Sequence, residues 1–82
     1  MIDAREAASR AANYLKDLFP EAQGMQLEEV EISDDDSEWS ITLSFFDPEK
    51  ISLPLNPPPK KYKIFRIDAE TAEVRSMKIR KV

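Results

Sequence analysis

The side chains with the plainest capacity for chemistry are the carboxylates Asp34, Asp35 and Asp36, flanked by Glu31 and Glu38. Clustered oxygens suit a hard cation such as calcium. The run has neither the alternating ligand spacing nor the central glycine of an EF-hand loop. Adjacent carboxylates point apart, so the run predicts a solvated hairpin tip without a metal, and at most a steering surface for a basic partner. The opposite charge gathers late in the chain, in Lys60, Lys61, Lys63, Arg66, Arg75, Lys78, Arg80 and Lys81. Residues 1–59 hold four basic and thirteen acidic side chains, a balance of −9, and residues 60–82 hold eight basic and three acidic, a balance of +5. The first balance disfavours general nucleic-acid binding, which needs a basic face for phosphate contacts. The second keeps a narrow form of it open through Lys78 and Arg80, which alternation places together on one face.

Other chemistry is excluded by composition. The chain contains no histidine and no cysteine. It therefore lacks a zinc site of ordinary type, a thiol nucleophile, a disulfide and an imidazole base. Serines and threonines have no partner base in the sequence, so a non-catalytic protein without a cofactor is expected. Trp39 is in phase with Ile41 and Leu43 and reads as core, whereas Phe46 is out of phase with Phe45 and reads as exposed or under a loop. Asn56-Pro57-Pro58-Pro59 has a binding rationale, because a preformed polyproline segment loses little entropy on docking into an aromatic groove. The favoured reading is nevertheless a rigid crossover that orders a long connection. The candidate partner-binding residues are thus Asn56, Pro57, Pro58, Pro59, Lys78 and Arg80.

The elements that position these residues follow from periodicity. Asp3 and Glu6 have the spacing of a capping box, opening a helix from Asp3 to about Leu18 that Pro20 stops. Its expected inward stripe is Ala4, Ala8, Ala11, Leu15 and Leu18, flanked by Ala7, Ala12 and Tyr14. A first strand covers Met25 to Ile32, where apolar parity switches between Leu27 and Val30, so Glu28-Glu29 marks a bulge. Strict alternation from Glu38 to Phe46 sets Trp39, Ile41, Leu43 and Phe45 on one face and Ser40, Thr42 and Ser44 on a wet face. Asp47 to Pro59 carries five prolines and reads as a crossing loop, with Ile51, Leu53 and Leu55 a short edge strand at most. A third strand runs from about Lys60 to Asp68 and a fourth from about Val74 to Lys81, joined by a turn that Asp68 opens. Phe65, Ile67, Met77 and Ile79 are their expected core contacts.

Eighty-two residues with 41% hydrophobic content and seven aromatics make one domain with a modest core. Its stability is expected on the order of 5 kcal/mol. Charge begins at the third residue and no run reaches the roughly 20 apolar residues that span a bilayer, so the expected location is the cytoplasm.

The order αββββ, the early Glu6-Ala-Ala8, the strand Glu38-Trp-Ser-Ile41 and above all Ile67-Asp68-Ala-Glu-Thr71-Ala-Glu-Val74 resemble the PepSY-like domains. The last segment is similar to that family's V-D-A-x-T-G-E-V hairpin. More loosely the arrangement resembles a cystatin-like sheet wrapped on a helix. The resemblance implies peptidase regulation or inhibition, often outside the cytoplasm, and brings no agreed catalytic residues. Where the family pattern has glycine this chain has Ala72, and a left-handed backbone there costs alanine roughly 1–2 kcal/mol. The expected fold is α+β, one N-terminal helix packed on a four-stranded antiparallel sheet with the other sheet face toward water. The expected function is that of a binding or regulatory module acting through the sheet face, an edge or the proline loop. The expected partner is another protein, with a homodimer through an unprotected edge strand as one form. A nucleic acid or acidic partner on the basic C-terminal strands is the alternative.

Overall fold

A computed structural model of the chain describes residues 1–46 and 60–79. Asp3 lies in extended backbone ahead of helix α1 (Ala4–Leu18), and its carboxylate accepts the Glu6 backbone N–H at 2.8 Å. This satisfies one of the amide donors that a helix start leaves open, worth about 1 kcal/mol. The helix buries Ala7, Ala11 and Leu15. That corrects the expected stripe: Ala7 is central, and Leu18 is 49% exposed. The reason lies at the helix end. Phe19 stacks on Phe45 with ring centroids 5.8 Å apart, closing the core in the place Leu18 was expected to take.

Four strands follow, β1 (Gln23–Ile32), β2 (Glu38–Phe46), β3 (Lys60–Asp68) and β4 (Val74–Ile79), in the spatial order β1-β2-β3-β4. All neighbours are antiparallel. The fold is therefore α+β, with the helix packed against one face of the sheet. The central pair β2 and β3 runs unbroken from Phe46↔Lys60 to Glu38↔Asp68. Strict alternation on both strands sends Ile41, Leu43, Phe45, Phe65 and Ile67 to the helix side, where they form the core with Ala7, Ala11 and Leu15. The segment 47–59, with Ile51, Leu53, Leu55 and the prolines, lies outside the described residues, as does 80–82.

Each outer strand needs a bulge to keep its apolar residues on that side. In β1 the register slips between Leu27 and Glu29, so Glu28 is the extra residue and Val30 turns inward. In β4, Ser76 pairs with Arg66 while Val74 pairs with Ile67, which leaves Arg75 extra. Val74 and Met77 consequently both reach the core although their spacing is odd. Ile79, an expected core contact, is 72% exposed. It stands opposite Lys63, whose ammonium lies 5.8 Å from the Phe19 ring centre, so the apolar layer ends at Met77.

One end of the sheet gathers three segments around the buried Ala69. Its N–H donates to the Ser37 carbonyl at 3.0 Å, and its carbonyl accepts the Ile2 N–H at 2.8 Å. The Trp39 indole Nε1–H donates to the Ile2 carbonyl at 3.2 Å. The chain entering α1 is thereby bound to both hairpin ends.

Among the described residues three positions adopt the left-handed backbone, Asp36 at the acidic hairpin tip and two with opposite sequence solutions. Gly24, the chain's one glycine, has φ +62°, and a Cβ there would meet Phe46 Cδ2 at 2.8 Å. Ala72 has φ +65°, closing the β3–β4 turn through its N–H to the Asp68 carbonyl at 2.9 Å. Alanine is penalised in this conformation and glycine is not. Ala72→Gly is expected to raise stability by about 1 kcal/mol, and Gly24→Ala to lower it by about 2 kcal/mol or more, both read from urea midpoints. Equal signs for the two variants contradict this account.

Candidate functional site

The face of the sheet turned away from α1 has its own construction. Alternation places Ser40, Thr42 and Ser44 of β2 there, next to Tyr62, Ile64 and Arg66 of β3 and Ser76 and Lys78 of β4. On the other flank Glu31 pairs with Ser40 and Glu29 with Thr42. The expected wet face is corrected at its centre, where Thr42 is 4% and Ser44 0% exposed. Both are short side chains on a central strand, set between the longer ones of β1 and β3. The Ser44 hydroxyl donates to the Glu28 carboxylate at 2.6 Å, which the β1 bulge brings to this face. A serine beside a carboxylate resembles an activated nucleophile, but this oxygen belongs to a fully buried residue. Its role is to satisfy a polar group removed from water.

Glu29, Glu31, Ser40, Thr42, Ile64 and Arg66 line a shallow groove of about 280 Å³ across the middle of this face. Carboxylates form one wall and a guanidinium the other. Ile64 supplies an apolar side chain in the polar phase of β3, and that misplacement was the one signal in the sequence that pointed to a groove.

At one end of the face four charges meet. Arg66 Nη1 donates to Glu38 Oε1 at 2.8 Å, Arg75 Nη1 lies 3.7 Å from Glu38 Oε2, and Arg75 Nη2 bonds Asp68 Oδ2. The bulge at Arg75 aims it across β3 at this cluster. Asp68 is also the turn's organiser, accepting the Glu70 N–H at 2.8 Å and the Thr71 N–H at 3.0 Å. The Thr71 and Glu70 amides, with Arg75, hold its carboxyl below the usual aspartate range against the opposing effect of desolvation. The guanidiniums are about half exposed, so this cluster orients side chains more than it stabilises the fold.

The acidic hairpin tip is likewise a hydrogen-bonded loop. Asp35 Oδ1 accepts from the Ser37 hydroxyl at 2.7 Å, the Ser33 hydroxyl at 2.8 Å and the Ser37 N–H at 3.1 Å. These bonds, Ser37 foremost, lower its pKa to about 2. No group of three or more potential metal-ligating side chains converges among the described residues.

Of the sequence candidates, Lys78 is described, exposed and on the open face beside Ile64. Asn56, Pro57, Pro58, Pro59 and Arg80 lie outside the described residues. The other basic residues are divided. Lys63 is on the helix side, Arg66 and Arg75 bind Glu38 and Asp68, and Lys60 Nζ donates to Gln26 Oε1 at 2.9 Å while lying over the Phe46 ring. Among the described residues, no helix is long and apolar enough to cross a membrane. No protein-family model, curated protein or solved structure matches the chain.

Both lowered aspartates have the same linkage sign. A carboxylate with a depressed folded pKa contributes stability above its unfolded value and loses that contribution as pH falls toward the folded one. Wild type should therefore lose stability on acidification from the ordinary 3.8 toward about 2, the value of Asp35. Asp35→Asn and Asp68→Asn should each be less stable at neutral pH and show a flatter decline over that range in urea titrations. An unchanged slope in both variants contradicts the assignment.

Proposed function

We propose that the chain is a small, non-catalytic binding or regulatory module that meets a partner protein through the sheet face opposite α1. The groove carries this reading. It sets the apolar Ile64 between the carboxylates of Glu29 and Glu31 and the guanidinium of Arg66, on a face that no described element covers. An apolar centre with a charged rim is the pattern of a specific protein contact, in which the centre supplies affinity and the rim supplies orientation. The division of the basic side chains between two faces, with several engaged by acceptors, favours a protein over a nucleic acid as partner.

The resemblance to PepSY-like domains extends the proposal to a peptidase as the regulated partner, and we place its action in the cytoplasm. The test is affinity capture from the native cell with mass-spectrometric identification. Wild type and Arg10→Glu, which alters exposed helix surface, should retain the same partner, and Ile64→Glu should lose it while keeping the far-ultraviolet circular dichroism of wild type. A partner captured equally by Ile64→Glu excludes this face.

A further inference from the structure

A second surface lies at the outer edge of β4, away from the groove. Among the described residues no strand pairs with that edge. The opposite edge, β1, is interrupted by two register shifts, a device that blunts strand addition. In β4 the one shift is at Arg75, and Ser76 to Ile79 continue regularly. The helix side of this edge is apolar and exposed. Tyr14 meets Phe65 edge-on at 6.1 Å, which sets it over β3, the strand next to this edge, where Phe65 pairs with Met77 of β4. Leu18 follows one turn later on the same flank, at the end of α1 where Phe19 lies under Lys63, the partner of Ile79. Tyr14 is 38%, Leu18 49% and Ile79 72% exposed. On the opposite side of the strand stands exposed Lys78.

We infer that the β4 edge accepts an extended segment of a partner protein as a fifth strand, with apolar side chains alternating with acidic ones. The apolar set covers Ile79, Leu18 and Tyr14, and the acidic set faces Lys78. Backbone hydrogen bonds supply affinity in this mode and the alternating side chains supply selectivity. Charge decides the occupant. β4 holds Arg75 and Lys78 and no acidic residue, so β4 of a second copy would bring like charges together. The acidic β1 of a second copy has the right sign but carries the bulges.

The experiment titrates isotope-labelled protein with two short synthetic peptides, one alternating valine with glutamate and one alternating valine with lysine, following backbone amide shifts. The acidic peptide is expected to saturate, with the largest shifts at Ser76 to Ile79, Tyr14 and Leu18. Lys78→Glu, an exposed change that the fold tolerates, should weaken it about tenfold and strengthen the basic peptide. Ile79→Lys should weaken it independently. Absence of binding, equal binding of both peptides, or shifts confined to Thr42 and Ile64 overturns the inference, the last while leaving the groove reading intact. A concentration-dependent mass in sedimentation without peptide, abolished by Lys78→Glu, overturns it in favour of a second copy.

Discussion

The structure depends on the small knot of backbone bonds around Ala69. A buried residue there must satisfy both of its main-chain groups, and it does so with Ser37 from one hairpin and Ile2 from the start of the chain. The helix therefore begins at a fixed point beside Trp39 and must cross the sheet toward Phe45. Ala7 and Ala11 let it lie close at the start, and Leu15 and Phe19 fill the wider space at the end. A bulky side chain at Ala69 would displace three segments together. Few positions in so small a domain have that reach.

Among the described residues one helix covers one face, and the second face is built from side chains of the strands themselves. Thr42 and Ser44 of β2 are buried there, and Ser44 is satisfied by a glutamate that a bulge brings within reach. The division of charge along the chain becomes a division across the sheet, with Glu29 and Glu31 on one side of the hydroxyl row and Arg66 on the other. Glu38 and Asp68 lie opposite each other on β2 and β3 and share Arg75. What looks in sequence like an acidic piece joined to a basic one is in space a set of neighbours.

Much of this was legible because alternation is a local signal. The limits of β2 follow from an uninterrupted period-two pattern, the start of α1 from Asp3, and the β1 bulge from the parity change around Glu28-Glu29. Leu18 and Ile79 were misread for a common reason. Their phase is right for burial, but burial also requires a partner element above them, and periodicity does not say where the apolar layer ends. The Glu38–Arg75–Asp68 cluster was invisible because it depends on the register of three strands and on a bulge with no sequence mark of its own. Most of the candidate binding residues fall in 56–59 and at Arg80, outside the described part, which leaves Lys78 as the one whose surroundings are known.

Phe46 and Lys60 are direct partners across the central strand pair. The register of β2 against β3 is thus held without a break up to the residues that flank 47–59. Closing a longer loop is cheap, about 0.6 kcal/mol for each doubling of length. By closure entropy alone, a change in the number of residues between these two partners costs their pairing little. In that entropic sense the Phe46–Lys60 pair is an open port in the architecture.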